Sequence, residues 1–270
     1  MQTKQGILWV KISVAVTFLI MISANALANI LPVNGVSTGQ VSDAYQNLFT
    51  PAGLTFSIWG LIYLLVAGYV LYTLGFFQAD KENVKTELLY RTGIIFSISS
   101  LANTAWIFCW HYDLIPLTML LMVVLLVSLA YIACIINKED LSLRDKLFIR
   151  LPFSVYFGWI SVATIANVTV LLVRWNWDGF GISEAVWAAI IISVGLIIGA
   201  VTAVKNRDIV YALVFLWAYT GILIKHTSSS GFAGQHTEVI STVIISIILL
   251  ILALVYIVWS GKKLEKKPNS

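Results

Sequence analysis

The run ISTVIISIILLILALVYIV, residues 240–258, decides what kind of chain this is. It holds no charged residue, and its apolar positions do not alternate as those of a barrel strand would. A helix rises about 1.5 Å per residue, so roughly 20 apolar residues cross a hydrocarbon layer of about 30 Å. Lipid offers no partner to an unpaired backbone amide, and such a crossing must therefore be helical.

Comparable runs recur along the chain. The pattern predicts spans at 8–30, 52–76, 89–110, 114–136, 151–173, 183–204, 209–225 and 238–260, the seventh being short. Of 270 residues 59% are hydrophobic and 11% charged, with mean hydropathy +0.90. A soluble domain carries about a quarter charged residues, so a soluble enzyme or binding domain is excluded. The expected fold class is an all-α integral membrane protein of about eight transmembrane helices.

The 17 basic residues test that count independently. Lys4, Lys11, Lys81, Lys85, Arg91, Lys138, Arg144, Lys146, Arg150, Lys205, Arg207, Lys262, Lys263, Lys266 and Lys267 all fall on one side, leaving only Arg174 and Lys225 on the other. By the positive-inside rule both termini are cytoplasmic, and the expected location is the plasma membrane. The net charge of +4 thus reflects topology and calls for no nucleic-acid partner. Lipid bilayer and a hydrophobic small molecule are the partners expected, with a homodimer left open. The first span also resembles a cleavable signal, since Ala24-Asn25-Ala26-Leu27-Ala28 follows its apolar run.

Outside the spans the sequence is sparse. Residues 32–50 form a polar outer connection with Gly35, Ser37, Thr38, Gly39, Gln40, Asp43 and Asn47, and residues 226–237 form a second outer loop. Pro51, Pro116 and Pro152 suit the opening turns of helices, where a missing N–H costs nothing. Gly195 and Gly199, four apart, favour close helix approach. Cys109 and Cys134 lie within spans, and neither CxxC nor a Cys/His metal spacing occurs. No nucleophile–base pair or phosphate loop is present, so no catalytic residue, no metal ligand and no enzyme activity is expected.

No ionisable residue stands near the centre of any span, which argues against ion-coupled transport. His111, His226 and His236 belong to outer loops or span ends and read as solvated or interfacial, although His111 is a formal candidate for a haem ligand. What the interior holds is amide, hydroxyl and indole. Phe56, Trp59 and Tyr63 share one helix face, as do Ser99, Asn103, Trp106 and Trp110, and Trp159, Ala163 and Asn167. A buried asparagine needs partners, and indole offers a flat apolar face with one donor. These stripes suit either helix packing or a pocket for a flat apolar molecule. Trp9, Trp175, Trp177 and Trp259, near span ends, read as interfacial anchors.

The stretch FTPAGLTFSIWGLIY over residues 49–63, followed by Gly68-Tyr69, resembles the loop and second helix of the TspO/MBR family, the tryptophan-rich sensory proteins related to the mitochondrial translocator protein. Leu101 to Phe108, with Asn103 three residues before Trp106, is similar to that family's third helix. Leu151-Pro152-Phe153, then Trp159, Ala163-Thr164 and Asn167, looks like its fifth. The resemblance covers residues 1 to about 176. It implies a five-helix bundle over 1–176, with 177–270 as about three further helices and a basic cytoplasmic tail. It also implies a pocket lined by Phe56, Trp59, Tyr63, Asn103, Trp106, Trp159, Ala163 and Asn167 under a lid holding Phe49 and Pro51. The implied ligand is a tetrapyrrole such as haem or protoporphyrin, with no cofactor required. Sensor or regulator is the leading role, a transporter of such molecules the alternative, and a porphyrin-modifying enzyme the last. Leu54 stands where many members have a second tryptophan, and no tyrosine precedes the base in Val170-Leu171-Leu172-Val173-Arg174.

Overall fold

The computed structural model describes residues 3–31, 33–78 and 85–265. Lys81, Lys266 and Lys267 of the charge count lie outside the described residues. Among the described residues there is no strand, and eight helices are long and apolar enough to cross a membrane, as expected. In chain order the elements are α1 (Lys4–Ile30), the short α2 (Thr38–Ala44), α3 (Ile58–Leu74), α4 (Thr86–His111), α5 (Ile115–Ile136), a single turn α6 (Leu143–Asp145), α7 (Leu151–Arg174), α8 (Glu184–Asn206), α9 (Ile209–Thr227) and α10 (Thr237–Glu265).

Two helix starts differ from expectation, both around a proline. Pro116 does open α5. Pro152, by contrast, lies well inside a helical stretch that begins at Leu143. The true start is a capping box, in which Ser142 Oγ accepts from Asp145 N at 3.1 Å and Asp145 Oδ2 accepts from Ser142 N at 3.3 Å. A wide π turn, Lys146–Arg150, directly precedes α7 and gives room to a proline that has neither donor nor space for a regular ladder. Pro51 departs the other way and precedes its helix, because a 3₁₀ turn over Gly53–Ser57 intervenes before α3.

The chain forms two compact units, the first comprising Met1–Tyr45 and Trp59–Ile160, the second Gln46–Ile58 and Ser161–Ser270. In the first, α4 packs along both α1 and α5. Gly93 permits the α1 contact, since a Cβ there would stand 2.7 Å from Val10 Cγ1. Tyr69 of α3, fully buried, meets Phe96 of α4 and Phe153 of α7 edge-on at 5.5 and 4.7 Å. Its hydroxyl bonds that of Thr92 at 2.9 Å. Tyr72 donates to Asp145 at 2.8 Å, and Lys85 pairs with Glu139 at 2.9 Å. The Glu139 carboxylate accepts a hydrogen bond from Lys85 and raises its pKa above the ordinary lysine value.

In the second unit α10 lies along α8 and α9. Gly195 and Gly199 serve the role their spacing suggested. A Cβ on Gly195 would stand 2.6 Å from the Tyr219 hydroxyl oxygen, and one on Gly199 2.6 Å from the Phe215 ring. Tyr219 in turn donates to Ile192 O at 2.6 Å. The glycines thus admit two aromatic rings of α9 against α8. Gly199→Ala should therefore overpack this seam and cost about 1–3 kcal/mol. Gly60→Ala, where the added Cβ meets open space, should be neutral or slightly stabilising. Thermal unfolding in detergent separates the two, and equal midpoints would contradict the close approach.

Candidate functional site

In the first unit a chain of polar groups runs through the apolar interior. Asn25 of α1 donates from Nδ2 to Met21 O at 2.9 Å and to Asn103 Oδ1 at 2.8 Å. Asn103 of α4 donates from its own Nδ2 to the Tyr156 hydroxyl of α7 at 2.9 Å. Asn103 and Tyr156 are fully buried, and Asn25 nearly so. An unpaired amide would be costly at this depth, and each of these groups finds its partner on a different helix. The chain ends on aromatic rings. Trp59 stacks on Tyr63 at 5.6 Å and 23°, and stands edge-on to Tyr156 at 6.1 Å and to Trp159 at 6.3 Å.

Toward the end of α4 a second indole pair carries the loop. Trp106 and Trp110 stack at 5.3 Å and 19°, and Trp110 Nε1 donates to Thr38 O at 3.1 Å. His111 is buried, which corrects the expectation of a solvated imidazole. The Val33 carbonyl, 3.1 Å from Nδ1, can only accept, so the ring hydrogen is assigned there. Nε2 then accepts from the Thr38 hydroxyl at 3.0 Å. Both ring nitrogens are spent on fastening the loop, and this imidazole is not free to ligate a haem iron. Asn34 donates to His111 O at 2.9 Å, Ser37 opens α2 with a capping box, and the Tyr45 hydroxyl donates to Asp113.

The rest of the loop belongs to the second unit and is held by α9. Ala52 N donates to Gly221 O at 3.0 Å, Trp217 Nε1 to Thr55 O at 2.9 Å, and His226 Nε2 to Leu48 O at 2.9 Å. His226 is fully buried, a second correction to the solvated reading. Both departures have one cause: burial here comes from a loop folding back on a helix end, and local sequence does not show that. Phe49 and Pro51 are buried in this segment, and Asn47 Oδ1 accepts from the backbone of Phe49 and Thr50.

Of the residues expected to line a pocket, Trp59, Tyr63 and Trp159 come together in the first unit and join Asn103 through Tyr156, while Trp106 pairs with Trp110. Phe56, on the 3₁₀ turn and half-buried, belongs to the second unit, as do half-buried Ala163 and buried Asn167. Asn25 and Tyr156 went unrecognised in the sequence. Tyr156 stands three residues before Trp159 on the same face, and Asn25 lies inside the signal-like run. Leu54, the departure from the family's second tryptophan, is 67% exposed. Trp9, Trp175 and Trp259 are exposed, as interfacial anchors should be, whereas Trp177 is half-buried and packs on Trp187 at 4.8 Å. Among the described residues no group of three or more His, Cys, Asp and Glu could hold a metal ion.

An all-helical bundle threaded by a buried amide–phenol chain and walled with indoles defines a multipass, tryptophan-rich membrane protein. The sequence pattern of the family described as TSPO-like protein matches residues 11–258, and the chain belongs to that family. The match runs well past residue 176, so the family pattern takes in the last three spans, which the resemblance read from the first five did not cover. Comparison with curated proteins and with solved structures gives no match.

Replacing Asn103 by Leu removes two interhelical hydrogen bonds at once and should cost about 0.6–1.7 kcal/mol, the range for such bonds in membranes. Much of that loss should be shared with Tyr156→Phe in a double-mutant cycle read by unfolding in mixed micelles. Additive losses would mean that the two side chains do not form one unit.

Proposed function

We propose that this TSPO-like protein acts in the plasma membrane, both termini cytoplasmic, as a sensor or regulator that binds a flat hydrophobic ligand of tetrapyrrole type. The observation that carries the reading is the indole and phenol cluster of Trp59, Tyr63 and Trp159 placed on the buried Asn25–Asn103–Tyr156 chain. Stacking rings supply attraction for a planar apolar body, and hydrogen-bonded amides fix the helices that carry them. The family membership and the basic-residue asymmetry support the reading.

The ligand is recognised by its plane and not by its metal. His111, the histidine of the first unit, commits both nitrogens to the loop, so iron would find no free histidine there. In titrations followed by tryptophan fluorescence, protoporphyrin IX and haem should both quench saturably, with similar midpoints and no spectrum of histidine-ligated iron. Trp59→Phe and Trp106→Phe should each weaken binding about two- to tenfold. Linear quenching that is identical in all three proteins would reject the assignment.

A further inference from the structure

The second unit contains a cavity of about 290 Å³ that shares only Phe49 with the residues expected to form the tetrapyrrole pocket and its lid. Its walls come from the loop at 46–49, the last turns of α7, the 177–182 connection and the first turns of α8. Leu172, Val173 and Ile191 give it an apolar wall. Trp177 and Trp187 line it with rings 4.8 Å apart and 59° to one another. Asp178 and Glu184 are its charged lining residues, and no Lys, Arg or His is among the described residues that line it.

The indole pair is held in place by the backbone. Trp187 Nε1 donates to Gly179 O at 2.7 Å. Gly179 has φ of +62°, and a Cβ there would stand 2.9 Å from the Trp187 ring, so both the turn and the ring position depend on glycine. Asp178 Oδ1 accepts from Phe180 N at 3.0 Å, which fixes one carboxylate beside the rings. Two tilted indole faces, two carboxylates and an apolar wall are the chemistry that holds an organic ammonium. A cationic occupant is also what the charge demands, since two formal negative charges disfavour an acid-bearing tetrapyrrole. The volume lies at the lower end of the roughly 300–1,000 Å³ typical of small-molecule sites.

We infer that this cavity binds an organic ammonium group with a small apolar body, delivered either as a free solute or as the headgroup of a phospholipid. The site is separate from the tetrapyrrole reading and does not rest on it. The full chain in dodecyl maltoside, titrated calorimetrically with benzyltrimethylammonium, should bind saturably. Asp178→Asn, which keeps an acceptor for Phe180, and Glu184→Gln should each weaken binding about threefold, and together about tenfold. Unfolding midpoints and protoporphyrin quenching should stay unchanged in both variants, so this site and the proposed tetrapyrrole site can fail independently. Displacement by choline identifies a free solute, and displacement by short-chain phosphatidylcholine alone identifies a lipid headgroup. The inference is overturned if the wild type gives no saturable heat, if the double variant binds as the wild type does, or if the neutral carbon isostere of choline displaces the probe as well as choline does.

Discussion

A side-chain amide inside hydrocarbon must find a partner within the protein, and Asn25 and Asn103 each find one on another helix. Asn25 reaches from α1 to Asn103 on α4, and Asn103 reaches from α4 to Tyr156 on α7. Apolar packing between membrane helices is weakly selective, because lipid tails are as apolar as leucine. The amide–phenol chain therefore sets which faces of α1, α4 and α7 turn inward. Once those faces are set, Trp159 follows Tyr156 one turn later and meets Trp59, which carries Tyr63 with it.

The same economy governs the second unit, with glycine in place of amide. Gly195 and Gly199 let α9 bring Tyr219 and Phe215 against α8, and Gly221 lets Thr55 lie against α9. Trp217, Gly221 and His226 then hold three backbone groups of the segment between Leu48 and Thr55. A connection that looks like a loose polar loop is thus fastened at both ends, by His111 and Trp110 over its first half and by α9 over its second.

Membrane class and span count were legible because they follow from sums over long windows, and no tertiary contact can overturn them. The glycine pair at 195 and 199 was legible for a related reason: its meaning is local to one helix face. What escaped depended on contacts distant in sequence. Nothing near His226 signals that the Leu48 carbonyl will accept its hydrogen bond, and nothing near Asn25 points to Asn103. The start at Leu143 was present as a Ser142–Asp145 capping box, but Pro152 gave a louder and misleading signal. The Trp177–Trp187 pair was hidden because a connection with positive φ at Gly179 and Phe180 brings the rings together.

The central claim is that a planar ligand rests on the indoles fixed by the amide–phenol chain. Nitrogen-labelled indole resonances, followed by NMR as protoporphyrin IX is added, test it most directly, because the 10 tryptophans report separately. The account predicts that Trp59 and Trp159 shift saturably while the exposed Trp9, Trp175 and Trp259 do not. Shifts confined to those exposed indoles, with Trp59 and Trp159 unmoved, would place the ligand on the surface and contradict it.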